Sequence, residues 1–161
     1  MVSNFFRFFS YFCSSSSSNI FFFFLQGLPH LVKYGGDVHG VPHVKGISHV
    51  VQPGDEIVLP VTGTVVKTID TRGHTIPHYS FYMPSLSLAF TGDALFSLGC
   101  GRIFEGTFSD SYSGLKRLSE ELPDDCWLCC GHEYTKGNVK FTRGVMEKFP
   151  EVRQITIEAK L

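Results

Sequence analysis

The sequence predicts an α+β fold, and three features of the 161-residue chain support this prediction. Short runs rich in β-branched and aromatic residues, separated by Gly and Pro, are typical of strands. Two later segments repeat apolar residues at helical spacing. Because most of the strands precede the helices, the pattern favours an α+β or layered α/β protein over an all-β one.

Five strands and two helices make up the predicted elements. The strands are expected at residues 57–61, 64–69, 79–83, 86–90 and 126–130. The first helix is expected to follow a capping residue at Ser109, and its apolar positions are Tyr112, Leu115, Leu118 and Leu122. The second helix is expected to stop at Pro150, and its apolar positions are Val139, Val145, Met146 and Phe149.

The chain divides into two unlike parts. Residues 1–28 form a low-complexity segment rich in Phe and Ser, which we expect to be disordered or non-native, and residues 29–161 form a partial domain. Serines at positions 14–18 interrupt the apolar stretch, whereas a spanning helix needs roughly 20 consecutive apolar residues. No association with a membrane is therefore expected.

Charge and cysteine content exclude several classes of function. The 14 basic and 15 acidic residues give a net charge of −1, which argues against a nucleic-acid partner. Five cysteines are an odd number, which argues against a secreted disulfide framework. We predict reduced thiols and a cytoplasmic location. A mitochondrial location is the alternative, because residues 1–28 are rich in Ser and lack acidic residues.

Three polar residues lie at the ends of predicted strands. His78 comes just before one strand, Asp93 directly follows another, and His132 follows a third after a glycine. Side chains at strand ends can converge on one edge of a sheet, where a rigid scaffold presents functional loops. Imidazole and carboxylate groups together suit Zn²⁺ or Fe²⁺. The alternative for each residue is a solvated or turn-forming role.

The sequence motifs around these residues carry a more specific signal. They read Gly-His-Thr-Ile-Pro-His-Tyr at 73–79, Phe-Thr-Gly-Asp-Ala-Leu-Phe at 90–96, Gly-Cys-Gly-Arg-Ile-Phe-Glu-Gly-Thr at 99–107 and Cys-Gly-His-Glu-Tyr-Thr at 130–135. In order and spacing, these motifs resemble the hydroxyacylglutathione hydrolases, or glyoxalase II family, of the metallo-β-lactamase superfamily. With Tyr-Gly-Gly-Asp at 34–37 and Asn-Val-Lys-Phe at 138–141, the resemblance covers approximately residues 29–150.

The resemblance implies an αββα sandwich, of which this chain holds an incomplete copy. It also implies a two-metal site that hydrolyses S-D-lactoylglutathione, a small-molecule thioester, to D-lactate and free thiol. By position, His78 is similar to a histidine of the first metal, Asp93 to the carboxylate that bridges both metals, and His132 to a histidine of the second metal. The implied cofactor is Zn²⁺, with Fe or Mn as alternatives.

The same resemblance implies three substrate-binding positions. They are Arg102, Phe104 and Tyr134, which match family residues that hold the glutathione part. Arg102 keeps a charge that can pair with a carboxylate, whereas Phe104 lacks the hydroxyl of the family's tyrosine. A related thiol such as trypanothione is therefore an alternative carrier. The alternative for Phe104 itself is a core aromatic residue.

Two features of the family do not occur in the sequence. The motif His-x-His-x-Asp-His, which supplies four of the family's seven metal ligands, is absent, and only 11 residues follow Pro150 where the family has a helical domain. We do not expect His30, His39, His43 or His49 to replace the motif. The chain thus resembles a truncated member, and a non-catalytic remnant is the alternative to an active thioesterase. Persulfide dioxygenase, another member of the superfamily, is a further alternative.

Overall fold

The computed structural model describes residues 39–42, 47–59 and 62–149. The predicted low-complexity segment 1–28 and the Tyr-Gly-Gly-Asp segment at 34–37 lie outside these residues. The described strands are β1 (His39–Gly40), β2 (His49–Val50), β3 (Glu56–Val58), β4 (Val65–Asp70), β5 (Tyr79–Met83), β6 (Leu88–Gly92) and β7 (Trp127–Cys130). The described helices are α1 (Phe108–Glu121) and α2 (Thr135–Lys148).

The five later strands form one mixed sheet in the order β3-β4-β5-β6-β7. The pairs from β3 to β6 are antiparallel, whereas β6 and β7 are parallel and are connected through α1. Strands β1 and β2 form a separate parallel pair. This mixture of a largely antiparallel sheet with two helices confirms the predicted α+β class.

The predicted and observed strands differ mainly at their ends. The prediction for 79–83 agrees with β5, and β3, β4 and β7 are displaced or shortened by one to three residues. The larger difference is at β6, because Pro84–Leu86 forms a 3₁₀ turn and Ser87 adopts a left-handed φ of 45°. Strand pairing therefore starts at Leu88 instead of residue 86.

The sheet separates two clusters of buried side chains, and the alternation of residues along β5 explains the separation. Tyr79 and Phe81 belong to a cluster on one face. Tyr82 belongs to a second cluster on the other face, where it meets Ala89 and the α1 residue Leu118. Strand β5 is thus the centre of the sheet and also its main contribution to both cores.

Helix α1 begins two residues earlier than its sequence pattern suggests. Thr107 is the N-cap: its hydroxyl accepts from the backbone N–H of Asp110 at 3.1 Å, while the Asp110 carboxylate accepts from the backbone N–H of Thr107 at 2.9 Å. The predicted cap at Ser109 is therefore wrong, because this residue lies inside the helix. Leu118 is buried as predicted, whereas Tyr112 is exposed.

Helix α2 and strand β7 present apolar side chains to the surface. Phe141 on α2 and Trp127 on β7 are 72% and 74% exposed. Helix α2 ends at Lys148, two residues before the predicted stop at Pro150, which lies outside the described residues. None of the described helices has the length and apolar character needed to cross a membrane.

Candidate functional site

The three predicted ligand residues occupy the strand ends at which the sequence placed them. His78 precedes β5, Asp93 follows β6, and His132 lies two residues after β7. Strands β5, β6 and β7 are neighbours in the sheet, so their ends lie side by side. A backbone hydrogen bond of 2.7 Å from Gly131 to the carbonyl of Gly92 joins the two loops that carry Asp93 and His132.

Asp93 is the residue on which the imidazoles converge. Its carboxylate is 9% exposed, and its Oδ1 accepts a hydrogen bond of 2.6 Å from Nδ1 of His132. On the other side, its Oδ2 lies 3.4 Å from Nε2 of His74. The His132 bond fixes which nitrogen carries the proton, because a carboxylate can only accept there. The neutral His132 ring therefore has its lone pair on Nε2.

His78 is fully buried and is held from one side only. Its Nδ1 lies 2.8 Å from the hydroxyl of Thr71, which also contacts the hydroxyl of Ser80 at 3.0 Å. Its Nε2 is buried without a hydrogen-bond partner among the described residues. Burial, reinforced by the nearby His74, lowers the pKa of His78 to about 4. The imidazole is therefore neutral at pH 7 and can offer a lone pair.

His74 joins the site, although the sequence predicts neither a metal-binding nor a substrate-binding role for it. Its side chain is 7% exposed, and its Nδ1 donates to the backbone carbonyl of Arg102 at 2.6 Å. Its ring also meets the ring of His78 edge-on, with the centroids 6.3 Å apart. The only signal in the sequence was its position in the Gly-His-Thr motif, because its contacts with Asp93 and Arg102 depend on residues 19 and 28 positions away.

The predicted substrate residues Arg102 and Phe104 lie directly beside His74. The Phe104 ring packs against the His74 ring at 4.9 Å, and the Arg102 guanidinium lies 4.6 Å from the centre of the Phe104 ring. Phe104 is 56% exposed, so the alternative of a core aromatic residue is wrong. The exposed cation and ring form one surface next to Asp93.

The third predicted substrate residue, Tyr134, lies on the other side of the site. Its ring is stacked on the His132 ring with an interplanar angle of 2° and 5.2 Å between the centroids. Phe96 meets the Tyr134 ring edge-on at 5.3 Å. Tyr134 is about half exposed, so it combines a fixed ring orientation with access from solvent.

Two glycines allow the backbone to approach Asp93 closely. A Cβ at Gly131 would collide with Oδ1 of Asp93, and a Cβ at Gly101 would collide with its backbone carbonyl oxygen. At both positions any side chain would require Asp93 or its loop to move. These glycines therefore account for part of the Gly-Cys-Gly and Cys-Gly-His motifs.

The donors present agree with a metal in chemical type. The buried, unpartnered Nε2 of His78 needs a polar partner, and a metal ion is one that imidazole accepts. Asp93 and His132 add a carboxylate and a second imidazole. In the described part of the chain, however, no group of three or more His, Cys, Asp or Glu side chains is arranged to hold a metal ion. The residues thus fit a metal chemically without completing its ligand set.

The curated relatives of this chain include several hydroxyacylglutathione hydrolases. The hydroxyacylglutathione hydrolase of Citrobacter koseri is 43% identical over 122 residues, which are 76% of this chain and 45% of the relative. The hydroxyacylglutathione hydrolase of Brucella ovis is 46% identical over 98 residues, which are 61% of this chain and 37% of the relative. The chain therefore spans less than half the length of these two relatives, and the resemblance stated from the motifs is confirmed.

Comparison with solved structures and family models identifies the fold. The crystal structure of ETHE1 from Myxococcus xanthus superposes with a TM-score of 0.58 at 31% identity, covering 66% of this chain and 47% of that one. The family model described as the metallo-beta-lactamase superfamily matches residues 20–132, which include His78, Asp93 and His132. The chain therefore belongs to the metallo-β-lactamase superfamily.

Proposed function

We propose that this chain carries the part of a glyoxalase II-type thioester hydrolase that holds the carboxylate of the metal centre and the thiol-recognition surface. The substrate class is an S-(2-hydroxyacyl) conjugate of a glutathione-like thiol, such as S-D-lactoylglutathione, which is cleaved to a hydroxy acid and a free thiol. The observation that carries the proposal is the placement of Asp93 between His132 and His74, whose ring in turn meets the ring of His78, where Nε2 is buried without a partner among the described residues.

In this proposal His78, Asp93 and His132 hold metal, with Zn²⁺ as the first candidate and Fe or Mn as alternatives. A bound metal supplies Lewis acidity at the thioester carbonyl and an acidified water. The chain itself orients the donors: Thr71 binds Nδ1 of His78 and leaves Nε2 for the metal. The two-metal form needs further ligands, which the family draws from the His-x-His-x-Asp-His motif.

The thiol carrier is recognised by the surface of Arg102, Phe104 and Tyr134. The guanidinium of Arg102 pairs with a carboxylate of the carrier, and the exposed rings of Phe104 and Tyr134 cover its apolar atoms. Because Phe104 offers no hydroxyl, this surface makes one hydrogen bond fewer than a tyrosine would. Trypanothione conjugates are therefore a second substrate candidate.

The test uses the full 161-residue chain purified with added Zn²⁺. Metal content is measured by elemental analysis, and thiol release from S-D-lactoylglutathione is followed by a colorimetric thiol assay. We expect Asp93→Asn to abolish turnover and to lower the metal content, and the exposed Asp124→Asn to leave both unchanged. Equal turnover in wild type and Asp93→Asn would falsify the assignment of Asp93.

Two further candidates have separate outcomes in the same experiment. A metal content below about 0.2 equivalents after gentle purification, together with no thiol release, supports a non-catalytic member of the family, since metal binding and folding are coupled. Persulfide dioxygenase is supported by the structural similarity to ETHE1. Oxygen consumption in the presence of iron and glutathione persulfide, without thioester cleavage, is its distinguishing result. The cytoplasmic location and the lack of nucleic-acid and membrane partners stay predictions.

A further inference from the structure

His74 has three kinds of contact, and together they link two regions that the proposed function treats separately. Its Nδ1 donates to the carbonyl of Arg102 at 2.6 Å, and its own backbone carbonyl accepts from the N–H of Phe104 at 3.1 Å. Its Nε2 lies 3.4 Å from Oδ2 of Asp93. One buried residue thus touches the carboxylate on one side and the segment 102–104 on the other.

We propose that His74 is a positioning residue that couples the thiol-recognition segment 102–104 to the carboxylate of Asp93. The proposal rests on the proposed function, because that function gives the two regions their roles. The coupling follows from the rigidity of imidazole, whose two nitrogens are held at a fixed separation. A displacement of the Arg102 carbonyl therefore moves the ring, and the ring moves relative to Asp93.

The surroundings of His74 oppose any independent movement of its ring. The ring is 7% exposed and is packed against the Phe104 ring at 4.9 Å. A hydrogen bond of 3.1 Å from the N–H of Gly106 to the carbonyl of Gly73 also joins the loop that carries His74 to the loop that carries Arg102 and Phe104. A further bond of 2.7 Å runs from the N–H of Ile76 to the carboxylate of Glu105. The two loops therefore move as one body.

Two isosteric substitutions separate the two ends of the link. In His74→Asn the side-chain amide nitrogen takes the place of Nδ1, so that the bond to Arg102 is kept and the contact with Asp93 is lost. In His74→Gln the amide nitrogen takes the place of Nε2, so that the contact with Asp93 is kept and the bond to Arg102 is lost. His74→Ala removes both contacts. Exposed His49→Ala is the control for the loss of an imidazole elsewhere.

The first readout is carbon-13 NMR of the full chain without metal, which does not depend on activity. We expect His74→Asn to shift the side-chain carboxyl carbon of Asp93 and to leave the backbone carbonyl carbon of Arg102 near its original position. We expect His74→Gln to do the reverse. The same shift pattern in both variants would mean a purely structural role and would overturn the proposal.

A further measurement uses the wild-type chain alone and therefore does not depend on whether a variant folds. A scalar coupling across the hydrogen bond between Nδ1 of His74 and the Arg102 carbonyl carbon is expected, and its absence contradicts the link. With Zn²⁺ as the probe, His74→Asn is expected to lower metal affinity about 10- to 100-fold, as loss of a contact to a metal ligand typically does, and His74→Gln to lower it less. If the wild-type chain cleaves no thioester while the NMR pattern holds, the proposed function fails and the link stands.

Discussion

At the scale of single residues, the site depends on glycines, which have no side chain, as much as on the residues that contact Asp93. Asp93 can lie against the loop after β7 only because Gly131 leaves room for its Oδ1. The cost of filling that space follows from close packing: the carboxylate is 9% exposed and has an imidazole on each side, so it has little freedom to move.

Replacing Gly131 with Ala is therefore expected to destabilise the protein by about 1–3 kcal/mol through overpacking. It is also expected to lengthen the 2.6 Å bond between Asp93 and His132. Urea unfolding measures the first effect and NMR of the His132 ring nitrogens the second. The matched control is Gly144→Ala on the exposed face of α2, where a Cβ meets nothing within 4 Å. This control is expected to stabilise by about 0.5–1 kcal/mol.

His78 gives the molecule a definite dependence on pH. Its pKa of about 4 in the folded chain lies below the ordinary value of 6.5, so the unfolded chain binds a proton that the folded chain does not. The free energy of unfolding is expected to fall as the pH drops from about 6.5 to about 4, by about 3 kcal/mol in total. Above pH 6.5 this contribution is constant. Urea unfolding of the metal-free protein across this range measures the slope.

The comparison for this prediction is His78→Gln, which keeps a polar side chain and removes the titration. As the pH falls from 6.5 to 4, the unfolding free energy of the wild type is expected to fall relative to that of the variant. A difference that stays constant over this range contradicts the burial argument for His78.

The predictability of single residues depends on how local their contacts are. The strand-end positions of His78, Asp93 and His132 could be predicted because each residue stands inside a recognisable motif. His74 was missed, since its side chain acquires its partners only when loops far apart in sequence meet. For Phe104, the sequence left a substrate-binding position and a buried core position open, and the fold leaves its ring at the surface beside Arg102.

At the scale of elements, helix α1 is fixed at its start by a reciprocal pair of bonds and along its length by one buried face. The pair joins Thr107 and Asp110, and the hydrogen bonds from Thr107 lower the pKa of the Asp110 carboxyl. The sequence pattern favoured Ser109 because Ser is a preferred cap, and Thr107, which also belongs to the preferred residue types, lies two residues earlier. Periodicity locates a helix face better than it locates the first residue.

The choice between the two capping residues is testable by substitution. Thr107→Ala is expected to lower the free energy of unfolding by about 1 kcal/mol, because a backbone donor at the start of α1 loses its partner. Ser109→Ala is expected to change it by less than about 0.5 kcal/mol. Thermal unfolding followed by circular dichroism measures both. If Ser109→Ala were the more damaging change, the assignment of Thr107 as N-cap would be wrong.

Strands were predicted correctly where residue type determines the structure. They were missed or misplaced where the structure depends on pairing with another strand. Strand β5 was placed correctly because its aromatic run has no competing structure. Strands β1 and β2 were not predicted, since two-residue strands have too few positions to show alternation. The start of β6 depends on a turn in which Ser87 has a positive φ, a conformation that its residue type does not reveal.

At the scale of the whole molecule, one sheet holds two cores together and the site lies along one of its edges. Leu118 of α1 is 1% exposed and reaches the cluster formed by Ile69, Tyr82 and Ala89. Arg117 of the same helix donates to the backbone carbonyl of Asp70 at 3.0 Å, at the end of β4. The helix is thus attached by an apolar contact and by a polar one.

Leu118→Ala is expected to lower the free energy of unfolding by about 2–5 kcal/mol, because it leaves a cavity between α1 and the sheet. Tyr112→Ala on the exposed part of the same helix is expected to change it by less than about 0.5 kcal/mol. Urea unfolding measures both. Since domains are stabilised by only about 5–15 kcal/mol, a loss below 1 kcal/mol for Leu118→Ala contradicts the role of α1 in the second core.

The position of Trp127 on β7 decides which optical signal can follow these experiments. It is the only tryptophan of the chain, and its indole is 74% exposed in the folded protein. An indole already surrounded by water emits near the wavelength of the denatured state, so unfolding changes its fluorescence little. A ligand or a second protein that covers β7, by contrast, shifts the emission to the blue. Intrinsic fluorescence of this molecule is therefore a detector of association, and its unfolding is better followed through the peptide backbone.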